Sequence, residues 1–379
     1  MRCPVNTFLS SSQEALKEQY EKYAAEEIQP AAKDLDSGKA SLKEFLQKLG
    51  QTGFLGLTIA KEYGGASGSF LEQSLFVEAA CEYEAGLGLA ISAHVQVVEL
   101  LKRYGDDRQK SRYLPLLARG EAIGAFCLNE ENAGSDYSLI ESVATTKQES
   151  PKLNGKKIWV VNGEIASLLV VAAKDEETGK LSLWLVDAGD SKSAKVSSGP
   201  KKLGLRSASA DEIVFTEAPL AEGSRLEGDA IEQIEFALDT AKTILAMASI
   251  GMTNAAMKLA VEHARTRQQF GKNIGAFQGV QWKLADMSTD LAAARMLALR
   301  AAWAFNESPE EFRKCAAMAK LLSSKTARFQ TGEAIQVMGA TGIVEGSPAE
   351  RFYRDAKMME ICQGTSELQK VIIADELKV

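Results

Sequence analysis

The spacing of apolar residues changes twice along this chain, and this change constrains the fold more than any other feature. From Ser11 to about residue 120, apolar residues recur every three or four positions, as in amphipathic helices. From about 123 to 228 they form short continuous or alternating runs typical of strands, and from about 231 the helical spacing returns. The sequence therefore predicts an α+β protein with a helical domain at 1–122, an antiparallel β-domain at 123–230 and a helical bundle at 231–379.

The strongest turn signal of the middle zone is Asn154-Gly155, between Leu153 and Lys156. Both central positions of a two-residue hairpin turn favour positive φ, which Asn and Gly adopt readily. We therefore expect a tight hairpin there, joining two strands of the β-domain.

The last zone has the pattern of a bundle whose central helix is apolar on nearly every side. The stretch from Leu238 to Ala264 is the central candidate, and Val280, Leu284, Met287 and Leu291 form the stripe of a second helix. The longest uncharged stretch, Thr243 to Met257, is about fifteen residues and contains polar side chains, which is short for a bilayer span. We expect no membrane partner.

Charge and cysteine usage narrow the class of protein further. The net charge is −7 and no long basic run occurs, which argues against nucleic acid as a partner. The five cysteines are scattered and form no CxxC pair, as is usual in a reducing compartment. The first twenty residues lack the apolar core and cleavage site of a secretion signal, so we expect a cytoplasmic protein.

The common catalytic signatures do not occur in this sequence. There is no GxSxG elbow, no HExxH, no phosphate-binding GxxxxGK[ST] loop and no GxGxxG after a strand. Only His94 and His263 are available as imidazole ligands, which argues against a histidine metal site, and we expect no bound metal.

Three polar, glycine-bearing segments remain as candidates, and each also has a structural interpretation. Residues 129–136 (NEENAGSD) form either an ordinary capped turn or a nest of donors for a pyrophosphate or flavin edge. Residues 265–272 (RTRQQFGK) either complement a helix dipole or clamp an anion. Residues 354–357 with 363–367 (QGTSE) read, when taken alone, as helix-capping chemistry.

Taken together, these segments resemble the acyl-CoA dehydrogenase family over nearly the whole chain. The matching stretches, in order, are FCLNEENAGSD, KKIWVVNG, KLGLRSASADEIVF, RTRQQFGKNIGAFQGVQWKLADM, QVMGATGI and YRDAKMMEICQGTSELQKVIIADEL. The resemblance implies an N-terminal helical domain, a middle β-domain and a C-terminal four-helix bundle. It also implies a homotetramer (a dimer of dimers), FAD held partly across a subunit interface, and an electron-transfer flavoprotein as electron acceptor.

The resemblance also assigns site residues in this chain. Around the flavin it implies Phe126, Leu128, Asn129, Ser135, Trp159, Val161, Thr365 and Glu367. From a neighbouring subunit, for the pyrophosphate and adenosine, it implies Arg267, Gln269, Phe270, Gln278, Gln336 and Gly339. For an acyl thioester of CoA or of an acyl carrier protein it implies Ser135, Asp239, Lys242 and Gly364, although many relatives have Arg in place of Lys242.

The chain departs from the family pattern around the reacting centre. The family usually has its catalytic Glu where this chain has Gln363, and the alternative position on the central helix is Ala241. A neutral amide cannot remove the α-proton of a thioester at neutral pH. Val161 and Asn129 also occupy positions where relatives usually have Thr, and Val keeps the shape of Thr but deletes a donor.

These departures leave three functions open. The first is a flavoenzyme that uses a variant mechanism, either with a base from elsewhere or on a substrate that needs none at its α-carbon, such as a hydroxyl or amine on an acyl carrier. Candidates for a displaced base are Glu82, Glu84, Glu235 and Asp239. The second is an ordinary acyl-CoA dehydrogenase trapped as an inactive Glu-to-Gln form, against which Val161 and Asn129 argue. The third is a catalytically silent homologue that keeps the fold.

Overall fold

The N-terminal part of the chain is a helical domain, as the apolar spacing predicts. The computed structural model describes residues 9–145, 151–188 and 194–378. Side chains of Ser10, Ser69 and Asp106 start three of its helices with reciprocal capping boxes. The helices are α1 (Ser11–Tyr23), α2 (Gln29–Asp36), α3 (Leu42–Gln51), α4 (Phe70–Cys81), α5 (Ala85–Tyr104) and α6 (Asp107–Ala118).

The middle of the chain forms a seven-stranded sheet. Its strands are β1 (Gly124–Cys127), β2 (Val143–Thr145), β3 (Lys152–Val160), β4 (Leu168–Asp175), β5 (Leu181–Asp187), β6 (Lys195–Ser197) and β7 (Asp211–Pro219). The expected antiparallel pairing joins β2 to β3, β3 to β7, β4 to β5 and β6 to β7. In contrast, β1 and β2 both pair with β4 in parallel, so the sheet is mixed.

The hairpin predicted at Asn154-Gly155 is wrong. Both residues lie inside β3, where the register against β7 shifts between Leu153 and Gly155. Gly155 has φ 152°, and a Cβ there would lie 2.1 Å from Oγ of Ser142. The dipeptide therefore allows a bulge and a close approach of two strands. The connection from β2 to β3 falls mainly on residues 146–150, outside the described residues.

The C-terminal part is a helical bundle around one long, buried helix. Its helices are α7 (Ala230–Thr266), α8 (Gln278–Glu307), α9 (Pro309–Met338), α10 (Pro348–Met359) and α11 (Ser366–Glu376), with a short hairpin of β8 (Gln268–Gln269) and β9 (Lys272–Asn273) after α7. α7 packs against α4, α5, α8 and α9, as expected for the apolar stretch. In the predicted stripe of α8, Met287 and Leu291 are buried while Val280 and Leu284 are half-buried.

The first helical domain and the bundle meet at close range. A Cβ at Gly251 of α7 would lie 2.0 Å from the carbonyl oxygen of Glu78 in α4, so only glycine fits. Beside this contact, Nε of Arg295 donates to Glu78 at 2.6 Å. The two helical domains therefore form one continuous core, and the β-domain packs against its side through α5 and β1.

Within the described ranges, two helices are long and apolar enough to cross a bilayer by length and composition alone. They are α5 and α7, and α7 contains the uncharged stretch Thr243–Met257. The apolar window of α5 is 94% buried inside the protein and that of α7 is 72% buried. Such burial is typical of core helices, which satisfy the same length criterion.

Candidate active site

One cavity of about 880 Å³ lies where the β-domain meets α5, α7 and the turn before α11. This volume is within the range of small-molecule and cofactor sites. The structure brings together on its lining many of the residues named from the sequence, which are Phe126, Leu128, Asn129, Ser135, Trp159, Val161, Lys242, Gln363, Gly364 and Thr365. Glu367 is exposed in the first turn of α11 and Asp239 is buried within α7, and neither is part of the lining.

On the β-domain side, the loop that follows β1 is held by a buried ion pair. Nζ of Lys157 donates to Glu130 at 2.6 Å and to the carbonyl of Leu128 at 3.2 Å. Glu130 also accepts from the backbone and hydroxyl of Ser142. Burial alone would raise the pKa of Glu130, but Lys157 and these donors hold the pKa below its ordinary value. The loop with Asn129 and Ser135 is thereby fixed at the cavity wall.

The end of β3 presents an aromatic ring to the cavity. Trp159 has φ 56° and its side chain is 52% exposed, while its neighbour Val160 is buried. The register of β3 against β7 shifts again at this point. Asn162, also at positive φ, donates to the carbonyls of Ala90 and Gly124 and so fixes the chain beyond the irregularity. This backbone is costly for residues with a Cβ, and it turns the indole toward the cavity.

On the helical side, the turn between α10 and α11 is fixed by a buried amine. Nζ of Lys320, in α9, donates to the carbonyl of Glu360 at 3.1 Å and to that of Gly364 at 2.5 Å. Burial lowers the pKa of Lys320 to about 8. Within the turn, Gln363 and Gly364 both have positive φ, and Thr365 caps α11. The amine therefore determines the backbone position of Gln363.

The side chain of Gln363 faces a second carboxamide, that of Gln96 in α5. The two amides approach at 3.5 Å in both donor directions, and Nε2 of Gln96 also donates to the carbonyl of Ala237 at 3.1 Å. Gln96 is only 1% exposed. At position 363 the cavity lining thus has a neutral pair of amides.

Further along α7, a charged cluster forms another part of the wall. Nζ of Lys242 donates to Asp239 at 2.6 Å, and both side chains are buried. Arg313 pairs with Glu235 at 2.7 Å, and Glu235 also accepts from the hydroxyl of Tyr137. Burial raises the pKa of Asp239, and the charge of Lys242 opposes this shift. Asp239 therefore supports Lys242 from behind the cavity wall.

Of the four candidates for a displaced base, only Glu235 lines the cavity. Glu82 accepts from Asn254 and Lys258 on α7, away from the lining. Glu84 caps α5 and accepts from the hydroxyl of Ser207, and burial raises its pKa to about 8. Among the described residues, no carboxylate is hydrogen-bonded to Gln363. The candidates Glu82, Glu84 and Asp239 are therefore not part of the cavity lining.

The residues expected to contact the far part of the cofactor lie elsewhere on the molecule. All of them are exposed at the opposite end of α7, namely Arg267, Gln269, Phe270, Gln278, Gln336 and Gly339. At about 1.5 Å per residue, Lys242 and Thr266 are roughly 36 Å apart along the 37-residue α7. Phe270 and Gly271 form the hairpin turn with φ 52° and 78°, and the Phe270 ring is 93% exposed. Within a single chain, the two sets of site residues therefore lie far apart.

Sequence reasoning missed four side chains that shape the cavity. Gln96, Lys320 and Arg313 belong to no motif considered above, and Lys157 lies in KKIWVVNG without an assigned role, although each is involved in the contacts just described. The available signal was a polar residue in an apolar run, as in AHVQVVELL around Gln96 and AKLL around Lys320. A buried polar side chain needs partners, which marks such positions.

The described residues contain no group of three His, Cys, Asp or Glu side chains placed to bind a metal ion. His94 is fully buried and its Nδ1 accepts from the backbone of Gly124. Burial lowers its pKa to about 4, so the imidazole is neutral and structural.

Three family models match consecutive parts of the chain. Residues 10–121 match the acyl-CoA dehydrogenase N-terminal domain, residues 125–218 the middle domain and residues 231–378 the C-terminal domain. Together they cover most of the sequence in the order that the fold displays.

Individual proteins are similar to this chain over nearly its whole length. A short-chain-specific acyl-CoA dehydrogenase of Clostridium acetobutylicum is 32% identical over 97% of this chain and 98% of its own length. The structure of butyryl-CoA dehydrogenase from Megasphaera elsdenii is similar with a TM-score of 0.93 and 30% identity, covering 98% of this chain and 99% of that one. The prolyl acyl carrier protein oxidase AnaB is similar with a TM-score of 0.91 and 28% identity, covering 98% and 100%.

Proposed function

The chain belongs to the acyl-CoA dehydrogenase family, and from this premise we propose that it is a flavoenzyme that oxidises an acyl thioester without the usual carboxylate base. The single observation that supports the proposal is the neutral amide of Gln363, paired with that of Gln96, on the lining of the cavity. FAD is the cofactor of the family.

The cavity fits a flavin. Its β-domain side offers the flat face of Trp159 and the apolar side chains of Phe126, Leu128 and Val161 to a planar ring. Asn129 and Ser135 add polar groups on the same wall. Such a combination of apolar contact and a few fixed polar groups is what cofactor sites require. When bound, FAD supplies hydride acceptance, and the residues of this chain bind and orient the substrate beside it.

The residues of this chain restrict which oxidation is feasible. Removing an α-proton from a saturated acyl thioester needs a base, and losing a general base costs about 10²–10⁴ in rate. An amide at 363 can hold a hydrogen bond but cannot take a proton at neutral pH. A substrate that carries a hydroxyl or amine avoids the need for a base at its α-carbon.

The thioester itself has candidate contacts along the same wall. Ser135, Lys242 and Gly364 lie on the lining, and Asp239 orients Lys242. The carrier is either CoA, as in the names of most relatives, or an acyl carrier protein, as in the name of the AnaB structure. We propose an electron-transfer flavoprotein as acceptor and the cytoplasm as location.

The exposed residues at the far end of α7 support an assembly. Arg267, Gln269 and Phe270 are too far from the cavity of their own chain to contact the FAD held there. We propose that they, with Gln278, Gln336 and Gly339, contact the FAD of another copy in a homotetramer. The backbone of the Phe270–Gly271 turn fixes the ring in an outward position suited to this role.

The names of the relatives favour a second candidate, which is ordinary α,β-dehydrogenation of an acyl-CoA. In this case a carboxylate on the lining would have to serve as base. Of the four candidates only Glu235 lines the cavity, and Glu131, Asp136 and Asp375 also lie on the lining. The carboxylate of Glu235 is already engaged by Arg313 at 2.7 Å and by the hydroxyl of Tyr137, and these contacts compete with an approach to an α-proton.

Anaerobic titration of the FAD-loaded protein with butyryl-CoA distinguishes the two candidates. We expect little bleaching of the flavin absorption with the protein as it is, and reduction about 10²–10⁴ times faster in Gln363→Glu. Gln29→Glu, the same chemical change at an exposed site on α2, should behave like the unaltered protein. Rapid bleaching without any substitution would contradict the proposal.

A further inference from the structure

Gln96 is an unusual side chain for its position in α5. It is almost completely buried, and its neighbours on the cavity lining from the same helix are Leu89 and Ala93, which are apolar. A carboxamide in such surroundings costs free energy unless its hydrogen-bonding capacity is used. The structure assigns part of that capacity to Ala237 and Gln363 and leaves part of it facing the cavity.

The hydrogen-bond count of the amide pair is incomplete. Two carboxamides offer four N–H donors and two acceptor oxygens. Gln96 uses one donor well, on the carbonyl of Ala237 at 3.1 Å. The contacts between the two amides are 3.5 Å long, at the outer limit of a hydrogen bond. The pair can therefore accept a further polar group at little cost to its own contacts.

The two amides are held in place before any ligand arrives. Gln96 is anchored to α7 through Ala237, and the turn of Gln363 is anchored to α9 through Lys320. Gln363 also has φ 55°, a left-handed backbone conformation that residues other than glycine rarely adopt. Groups fixed in this way lose little entropy on binding, which raises selectivity.

We propose that Gln96 and Gln363 form a specificity site for a hydroxyl group on the acyl chain near the thioester. A hydroxyl both donates and accepts, so it matches an amide oxygen on one side and an amide N–H on the other. Two neutral amides give no charge to balance a desolvated carboxylate or ammonium group. An unsubstituted alkyl chain would place only C–H groups next to both amides and could form no hydrogen bond with them.

This inference rests on the proposed function, since it assumes that the acyl group enters this cavity. Its test therefore measures binding and not turnover. The probes are the pantetheine thioesters of butyrate, 2-hydroxybutyrate and 3-hydroxybutyrate, which share the arm common to CoA and acyl carrier protein. Calorimetric titration of the FAD-loaded protein under anaerobic conditions with excess ligand gives each dissociation constant.

We expect at least one hydroxy thioester to bind about 10-fold or more tightly than the butyryl thioester. In Gln363→Leu the ratio should fall below about 3-fold, because one partner of the hydroxyl is lost. Gln96→Leu should lower the affinity ratio in the same way. If this buried substitution impairs folding, Gln363→Leu still tests the proposal. Ser135→Ala, which removes a hydroxyl elsewhere on the lining, should weaken all three ligands without changing the ratio.

The outcomes separate this inference from the proposed function. Equal affinity for all three thioesters overturns the hydroxyl site and leaves a thioester-binding cavity intact. A preference that survives in both leucine variants assigns hydroxyl recognition to other residues and also overturns it. Failure of every thioester to bind contradicts the proposed function itself.

Discussion

The two sets of site residues differ in how the fold treats them. Around the cavity, Trp159 and Gln363 sit on backbone at positive φ that buried amines and amides fix from behind. At the far end of α7, Arg267 caps the helix and Phe270 lies in the turn of the following short hairpin, and both are exposed. The first set lines one cavity of a single chain, whereas the second is exposed, with the Phe270 ring edge-on to Phe277 at 6.1 Å.

This difference indicates which contacts serve both the stability of the protein and its function. Substitutions behind the cavity should unfold the protein and empty the site together, because the same contacts do both. Substitutions on the hairpin should affect the cofactor and leave unfolding unchanged.

The largest effect is expected from Lys157→Met. It removes the partner of Glu130 in a buried pair, which typically costs about 3–5 kcal/mol in the free energy of unfolding. Urea unfolding of the FAD-free protein measures the loss, and FAD retention should fall with it. The double variant with Glu130→Met should recover part of the loss, because no unpaired charge remains buried. If Lys157→Met were as stable as the parent, the contacts behind the cavity would not contribute to stability, and the proposed difference between the two sets would be contradicted.

A smaller effect on binding, with none on folding, is expected from Arg267→Ala. Losing a charge-assisted hydrogen bond to a phosphate should raise the dissociation constant of FAD about 10-fold or more. Equilibrium dialysis measures the constant, and urea unfolding should be unchanged because Arg267 is exposed. Arg108→Ala, an exposed arginine on α6, is the matched control. Unchanged FAD affinity would show that the hairpin takes no part in the site.

A pH-dependent effect is expected at the start of α5, where Glu84 meets Arg351 and the loop of Ser207. Burial raises the pKa of Glu84 to about 8, and burial raises that of Asp355 to about 7. The folded protein therefore holds protons that the unfolded chain releases above about pH 4.5. Stability from this source is complete at low pH and is lost as the pH rises toward 8.

Glu84→Gln removes one of these titrations. Its free energy of unfolding relative to the parent should improve between pH 5 and 8, by at most about 1.4 kcal/mol per pH unit. Urea unfolding across this range measures the difference, and the exposed control Glu62→Gln should run parallel to the parent. A constant offset for Glu84→Gln would mean that Glu84 does not titrate there.

The sequence could predict much of this architecture because its signals are local. Apolar spacing identified the helical zones and the buried α7, and contiguous motifs identified many of the cavity residues. The signal at Asn154-Gly155 failed because a bulge and a hairpin turn both use a permissive glycine, and only the packing against Ser142 distinguishes them.

The remainder depends on contacts between residues far apart in sequence. Gln96 and Gln363 are 267 positions apart in the sequence, and no local pattern relates residues at such a separation. Glu84 and Glu235 both follow plausible segments, but only the packing of α5 and α7 decides which of them lines the cavity. Distances of this kind follow from the tertiary fold and not from spacing.

The most direct test of the missing base is exchange of the α-hydrogens of a bound thioester with solvent. Butyryl-CoA deuterated at C2 is incubated in H₂O with the FAD-loaded protein, and NMR follows the loss of deuterium. We expect no exchange above the rate without protein, and clear exchange with Gln363→Glu. Rapid exchange in the protein as it is would reveal a base at C2 and contradict the proposed absence of one.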